Sequence, residues 1–197
     1  MNVLHIDAGI TPNSVSRQIS AAVVAALKAG GSPVNLTYRD LAADPIPHLD
    51  GQGLAGLGQD EALAEFFAAE VIVIGAPMYN FGVASQLKAW IDRILVAGKT
   101  FRYTPEGPQG LAGSRRIIVA SSRGGAYAGD MAASFDFQER YLSAVFGFMG
   151  VKDIRFVRAE GVQLSPERRE EALADALRRA PEVAAGIAAG FAPALAA

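Results

Sequence analysis

Val71-Ile72-Val73-Ile74 is an unbroken β-branched run that ends at Gly75, between a helical segment and a loop. Such a run is apolar on both faces, which a strand tolerates only when helices cover both sides of its sheet. Four more short runs share its setting. Val3–Ile6, Ile117–Ala120 and Ile154–Val157 are mainly apolar, interrupted only by His5 and Arg155, and Val34–Tyr38 alternates in the manner of an edge strand. Between them lie segments with apolar residues at helical spacing: 14–29 (Ile19, Val23, Val24, Leu27), 60–70 (Leu63, Phe66, Phe67), 85–97 (Leu87, Ile91, Ile94, Leu95) and 135–149. Ser165-Pro166 opens a last helix, with a cap and then proline at the first position. Pro181 is expected to kink or end it. The Ala-rich tail from Val183 reads either as a further short helix or as a frayed end.

Strand and helix therefore alternate throughout. This order demands a parallel sheet with right-handed crossovers and helices on both faces. The expectation is one α/β domain over residues 1–197: a doubly wound, five-stranded parallel sheet. Stretches 41–59, 99–115 and 124–134 have little periodicity and read as long loops, where function concentrates. Gly51-Gln52-Gly53-Leu54-Ala55-Gly56 matches the dinucleotide pattern G-x-G-x-x-G but follows a proline-rich stretch instead of a strand. It therefore reads as loop.

Composition removes several classes of function. The chain has no cysteine, which excludes disulfides, thiolate metal sites and a cysteine nucleophile. Eighteen Lys and Arg against 20 Asp and Glu give a net charge of −2, without the basic surplus of a nucleic-acid binder. No apolar stretch approaches the ~20 residues of a membrane span, and the first residues lack the basic start of a signal peptide. A soluble, cytoplasmic protein is expected. The two histidines, His5 in a strand and His48 in a proline-rich loop, have no nearby acidic cluster in sequence, so no metal site is expected. No G-x-S-x-G elbow is present, which disfavours a serine esterase.

In a doubly wound sheet, ligands sit beyond the carboxyl ends of the strands. Three unusual loops begin there. Asp7–Arg17 places Ser14, Val15 and Ser16 at a helix start, where free N–H groups favour an anion; helix capping is the alternative. The loop lacks the Walker pattern, so a monophosphate is expected over a triphosphate. Gly75–Gly82 carries Pro77, Met78, Tyr79, Asn80 and Phe81, which suit a flat aromatic ligand. Ser121–Gly125 offers Ser122, Arg123 and the close-approach glycines Gly124 and Gly125. A phosphate seat, an apolar platform and polar donors at its rim together fit flavin mononucleotide (FMN).

Several stretches also resemble the FMN-dependent NADH-azoreductases, which are flavodoxin-like quinone reductases. They are 39–47, Ala76–Phe81 followed by Gln86-Leu87-Lys88, Thr100–Tyr103, Ser122–Gly125 and Gly147–Gly150. The resemblance implies FMN as cofactor, NADH or NADPH as donor, quinones and azo compounds as acceptors, and a homodimer. It implies a phosphate seat at Ser14, Val15 and Ser16, and Met78–Phe81 flanking the ring. Ser122, Arg123, Gly124 and Gly125 would lie at the ring's polar edge, with Arg123, Gly124 and Asn80 giving electrostatic support. Tyr103, Tyr127 and Phe148 would belong to the substrate pocket. Gly9 stands where relatives often carry a hydroxyl, and Tyr127 where they often carry a more polar residue. A flavodoxin-like FMN-binding electron carrier or redox-sensing module is the alternative, though carriers of that kind are usually strongly acidic.

Overall fold

A computed structural model describes residues 1–127 and 133–189. Five parallel strands form the main sheet: β1 (Asn2–Asp7), β2 (Asn35–Asp40), β3 (Val71–Tyr79), β7 (Arg116–Arg123) and β8 (Asp153–Glu160). Their order is β2-β1-β3-β7-β8, so the winding direction reverses between β1 and β3. β2 is the predicted edge strand.

The side-chain alternation of β3 splits the core in two. Ile72 and Ile74 face α3 (Glu61–Ala68), α4 (Ser85–Ile94) and α5 (Phe137–Phe148). Val71 and Val73 face α1 (Val15–Ala29) and α6 (Pro166–Ala188). Phe66 of α3 is fully buried, but Phe67, expected inside, is exposed beneath the Arg115 guanidinium.

Four readings need correction. First, two strands run further than expected: β3 continues through Tyr79, and β7 includes Ser121, Ser122 and Arg123. Pro77 pairs in register with Ser122, because a parallel neighbour extends the ladder past the apolar run. Second, Gly51–Gly56 forms a short helix, α2, followed by a 3₁₀ turn at Leu57–Gln59. The Asp50 carboxylate caps it, accepting from Gly53 N at 2.7 Å, which offsets the glycines' poor propensity. It still follows no strand, so the dinucleotide fingerprint is unsatisfied.

Third, stretch 99–115 contains a hairpin, β5 (Phe101–Thr104) and β6 (Gly107–Gly110). Gly110 crosses the Gly150 backbone so closely that a Cβ would collide with it. Fourth, α6 runs through Pro181 without ending there. Ala172, Ala176, Ala180 and Ala184, spaced by four, bury a smooth stripe on the sheet that compensates the hydrogen bond lost at the proline. The start of α6 is as expected, with Ser165 Oγ accepting from Arg168 N. The middle of stretch 124–134 and the tail beyond Ala189 lie outside the described residues.

Candidate active site

The three loops meet at the carboxyl edge of the sheet. The first lies between β1 and α1. Ser14 and Ser16 are both buried there, their hydroxyls 2.9 Å apart. The Ser14 side chain makes no capping bond to its own helix, so capping does not explain it. The first-turn N–H groups of α1 lack intrahelical acceptors, and an anion placed there would meet both hydroxyls and the helix dipole. Gly9 has no room for a side chain: a Cβ would lie 2.5 Å from Ser14 Oγ. The missing hydroxyl at position 9 is therefore a packing requirement.

Asn80 and Phe81 join β3 to a short antiparallel strand, β4 (Gly82–Val83). Both have left-handed backbones, φ 46° and 68°. A two-residue hairpin turn with both φ positive is the type I′ form, which holds the Phe81 ring outward at the end of β3. Tyr79 OH accepts from Ile10 N at 3.3 Å, linking this turn to the first loop. Gln138 of α5 donates to Ala76 O and accepts from Ser121 Oγ, which ties β3 to β7 just below the site.

Met78–Phe81, Gly124, Gly125, Tyr127 and Gln163 line a slot of about 500 Å³. Alongside is a larger, mainly apolar cavity of about 1010 Å³. Tyr79 and Asn80 border both spaces; Ile10, Val83, Phe137 and Tyr141 form other walls of the larger one. Burial, aided by Asp92, pushes the Tyr141 phenol up to about 12, so it keeps its proton at neutral pH. Gln86, Lys88, Arg140 and Ala144 also line this cavity.

Arg123 does not face the slot as expected. Its side chain is 3% exposed and turned beneath the third loop. It pairs with Asp136 and Glu160, both at 2.9 Å, and with Glu139. Arg158 completes the cluster through Glu139. Three carboxylates outcompete a solvent-facing pose, since a buried guanidinium must be paired.

Residues 1–183 match the family described as having a flavodoxin-like fold. An FMN-dependent NADH:quinone oxidoreductase 2 of Bradyrhizobium diazoefficiens is 52% identical, over 94% of this chain and all of that protein. An FMN-dependent NADH:quinone oxidoreductase 1 of Xanthomonas axonopodis pv. citri is 55% identical, over 90% of this chain and 94% of its own. Among solved structures, an azoreductase from Bacillus anthracis superposes with a TM-score of 0.86 at 29% identity, covering 94% and 99% of the two chains. A Bacillus anthracis FMN-dependent NADH-azoreductase in complex with FMN gives 0.83 at 30%, covering 95% and 99%. The chain belongs to the flavodoxin-like FMN-dependent NADH-azoreductase family.

Not every residue implied by the azoreductase resemblance gathers at the slot. Tyr127 lines it. Tyr103 and Phe148 line neither the slot nor the cavity; they flank Phe101, with ring centroids 5.6 and 4.7 Å from it. Tyr103 is 74% exposed on the hairpin. Phe137, Arg140, Tyr141 and Ala144 join the site from one face of α5, and their helical spacing is the sign of it that the sequence carries.

Proposed function

We propose that this chain is an FMN-dependent NADH:quinone oxidoreductase that also reduces azo compounds, with donor and acceptor using one pocket in turn. The observation that carries this reading is the slot: an aromatic-lined space beside an open apolar cavity, tied through Ile10 N and Tyr79 OH to the loop that bears the buried Ser14–Ser16 pair. The names of relatives at 52% and 55% identity support it and indicate NADH as donor.

The residues fit FMN. Ser14, Ser16 and the start of α1 hold the phosphate, while Met78–Phe81, Gly124, Gly125 and Tyr127 hold the ring. FMN held there would supply hydride transfer between NADH and the quinone or azo acceptor. The chain supplies placement and environment. Ile10, Val83 and Phe137 give the cavity beside the slot apolar walls. Tyr141 presents a neutral O–H there. Arg123 fixes the ends of β7 and β8 and gives the reaction only indirect support.

A second copy of the chain completes the pocket in this reading. Ile10, Phe81, Phe135 and Phe137 are all about half exposed around the cavity, and such an apolar rim is a contact surface. Tyr103 and Phe148 then reach a substrate across the interface. A cytoplasmic location, where the donor nucleotide is supplied, belongs to the same proposal.

The test begins with FMN mixed with the purified chain. Flavin absorption must travel with the protein on gel filtration; its complete loss would reject the reading. NADH oxidation with varied benzoquinone is expected to give parallel double-reciprocal lines, and intersecting lines would reject use of one pocket in turn.

A further inference from the structure

We propose that Arg17, held by Asp40, is a positioning residue that makes the seat at the start of α1 select a flavin monophosphate over the unphosphorylated flavin. This rests on the FMN reading above.

Arg17 is the third residue of α1, one position beyond Ser16. A cation there stands ready to pair with a bound dianion, but its hydrogen bonds go elsewhere. Nε and Nη2 donate to the Gly9 carbonyl at 2.9 and 2.7 Å. Nη2 and Nη1 also donate to the two Asp40 carboxylate oxygens at 2.5 and 2.8 Å. Nη1 donates to Tyr38 OH at 3.2 Å. A guanidinium has five N–H groups, and these five bonds use them all. Arg17 therefore acts on a phosphate only through what it holds.

What it holds is the loop beneath the seat. The Gly9 backbone packs so tightly on Ser14 that a Cβ would lie 2.5 Å from Ser14 Oγ. Moving Gly9 therefore moves Ser14, and with it the hydroxyl pair Ser14–Ser16. Asp40 anchors the other end of the clamp. It accepts from Ala42 N and Ala43 N at 3.0 and 3.2 Å, and the adjoining Arg17 lowers its pKa to about 2, so it stays charged. Buried Asp7 supports the assembly, accepting from Ser20 Oγ at 2.7 Å and Tyr38 OH at 3.1 Å. Three segments are thus joined at one guanidinium: the β1–α1 loop, α1 and the exit of β2. Arg17, Asp40 and Tyr38 line no part of the slot that holds the ring, and the clamped loop meets it only at one remove, where Ile10 N donates to Tyr79 OH.

FMN and riboflavin share the ring and ribityl chain and differ only in the phosphate. The clamp should therefore appear in the ratio of their affinities. The full chain, stripped of flavin, is titrated with FMN and then with riboflavin, following quenching of flavin fluorescence. Asp40→Asn keeps side-chain size and Arg17→Lys keeps the charge, both break the fork, and far-UV circular dichroism checks that each is folded. The expected result is a Kd for FMN raised about tenfold in either folded variant, with the riboflavin Kd changed by less than about twofold. Parallel weakening of both flavins in the variants would reduce the clamp to a structural brace and overturn the proposal. Unchanged FMN affinity would overturn it equally. A wild-type chain that binds neither flavin would instead reject the FMN reading on which the proposal rests.

Discussion

Asn80 and Phe81 show how one turn trades stability for a site. Asparagine tolerates the left-handed region, but a phenylalanine there costs about 1–3 kcal/mol. Phe81→Gly removes that strain at the turn position where glycine is favoured. Its unfolding midpoint in urea is expected to rise or hold level, while FMN affinity falls because one wall of the slot is lost. Arg123→Ala should do the opposite. It removes the cation that three carboxylates share, leaving Arg158 on Glu139 alone, so an unfolding free energy about 3 kcal/mol lower is expected from urea titration. The slot residues were legible in the sequence because aromatic and amide groups clustered directly after the most apolar run. The orientation of Arg123 was not: Asp136, Glu139 and Glu160 lie 13 to 37 residues away along the chain, and only the fold gathers them.

At the scale of elements, hydrophobic period located every strand of the main sheet and the longer helices. It failed where local backbone chemistry decided the outcome. α2 depends on the Asp50 cap, and the β5–β6 hairpin on Gly107 at φ 118° and on Gly110 against Gly150. Pro181 read as a helix end because its buried alanine stripe becomes visible only once α6 lies on the sheet. Pro181→Ala restores a backbone donor within that helix and should raise the thermal midpoint, with a gain of about 1 kcal/mol or more. β2 carries a pH signature of its own. The folded-state pKa of Asp40 is depressed from 3.8 to about 2 by its bond to Arg17. A depressed carboxyl stabilises the fold above the unfolded pKa and loses that contribution as pH falls through the folded one. Acid unfolding should therefore steepen between about pH 4 and 2, and Asp40→Asn should flatten that limb in a comparison of denaturation midpoints.

For the molecule as a whole, alternation of strand and helix pointed to a doubly wound sheet and to the carboxyl edge where the loops converge, while the reversal of winding between β1 and β3 is given only by the strand pairing. Alternation cannot specify what covers that edge. Ile10 and Phe137 lie 127 residues apart in sequence yet border the same cavity, and each leaves more than half its surface to water. Phe81 and Phe135 extend the patch, with ring centroids 5.5 Å apart. Exposed rings of this density are costly in water at ~25 cal/mol per Å², and a twofold self-contact is the simplest way to cover them. Sedimentation equilibrium of the wild-type chain should give a mass near twice 20.6 kDa. Phe137→Asp places a charge on the rim without touching the sheet, and its far-UV spectrum should match wild type. Its mass should fall to that of a single chain, and quinone reduction should fall with it, because Tyr103 and Phe148 would no longer reach the pocket. A monomeric variant that keeps full turnover would show that one chain forms the whole substrate pocket, and a monomeric wild type would assign the apolar rim to the substrate alone.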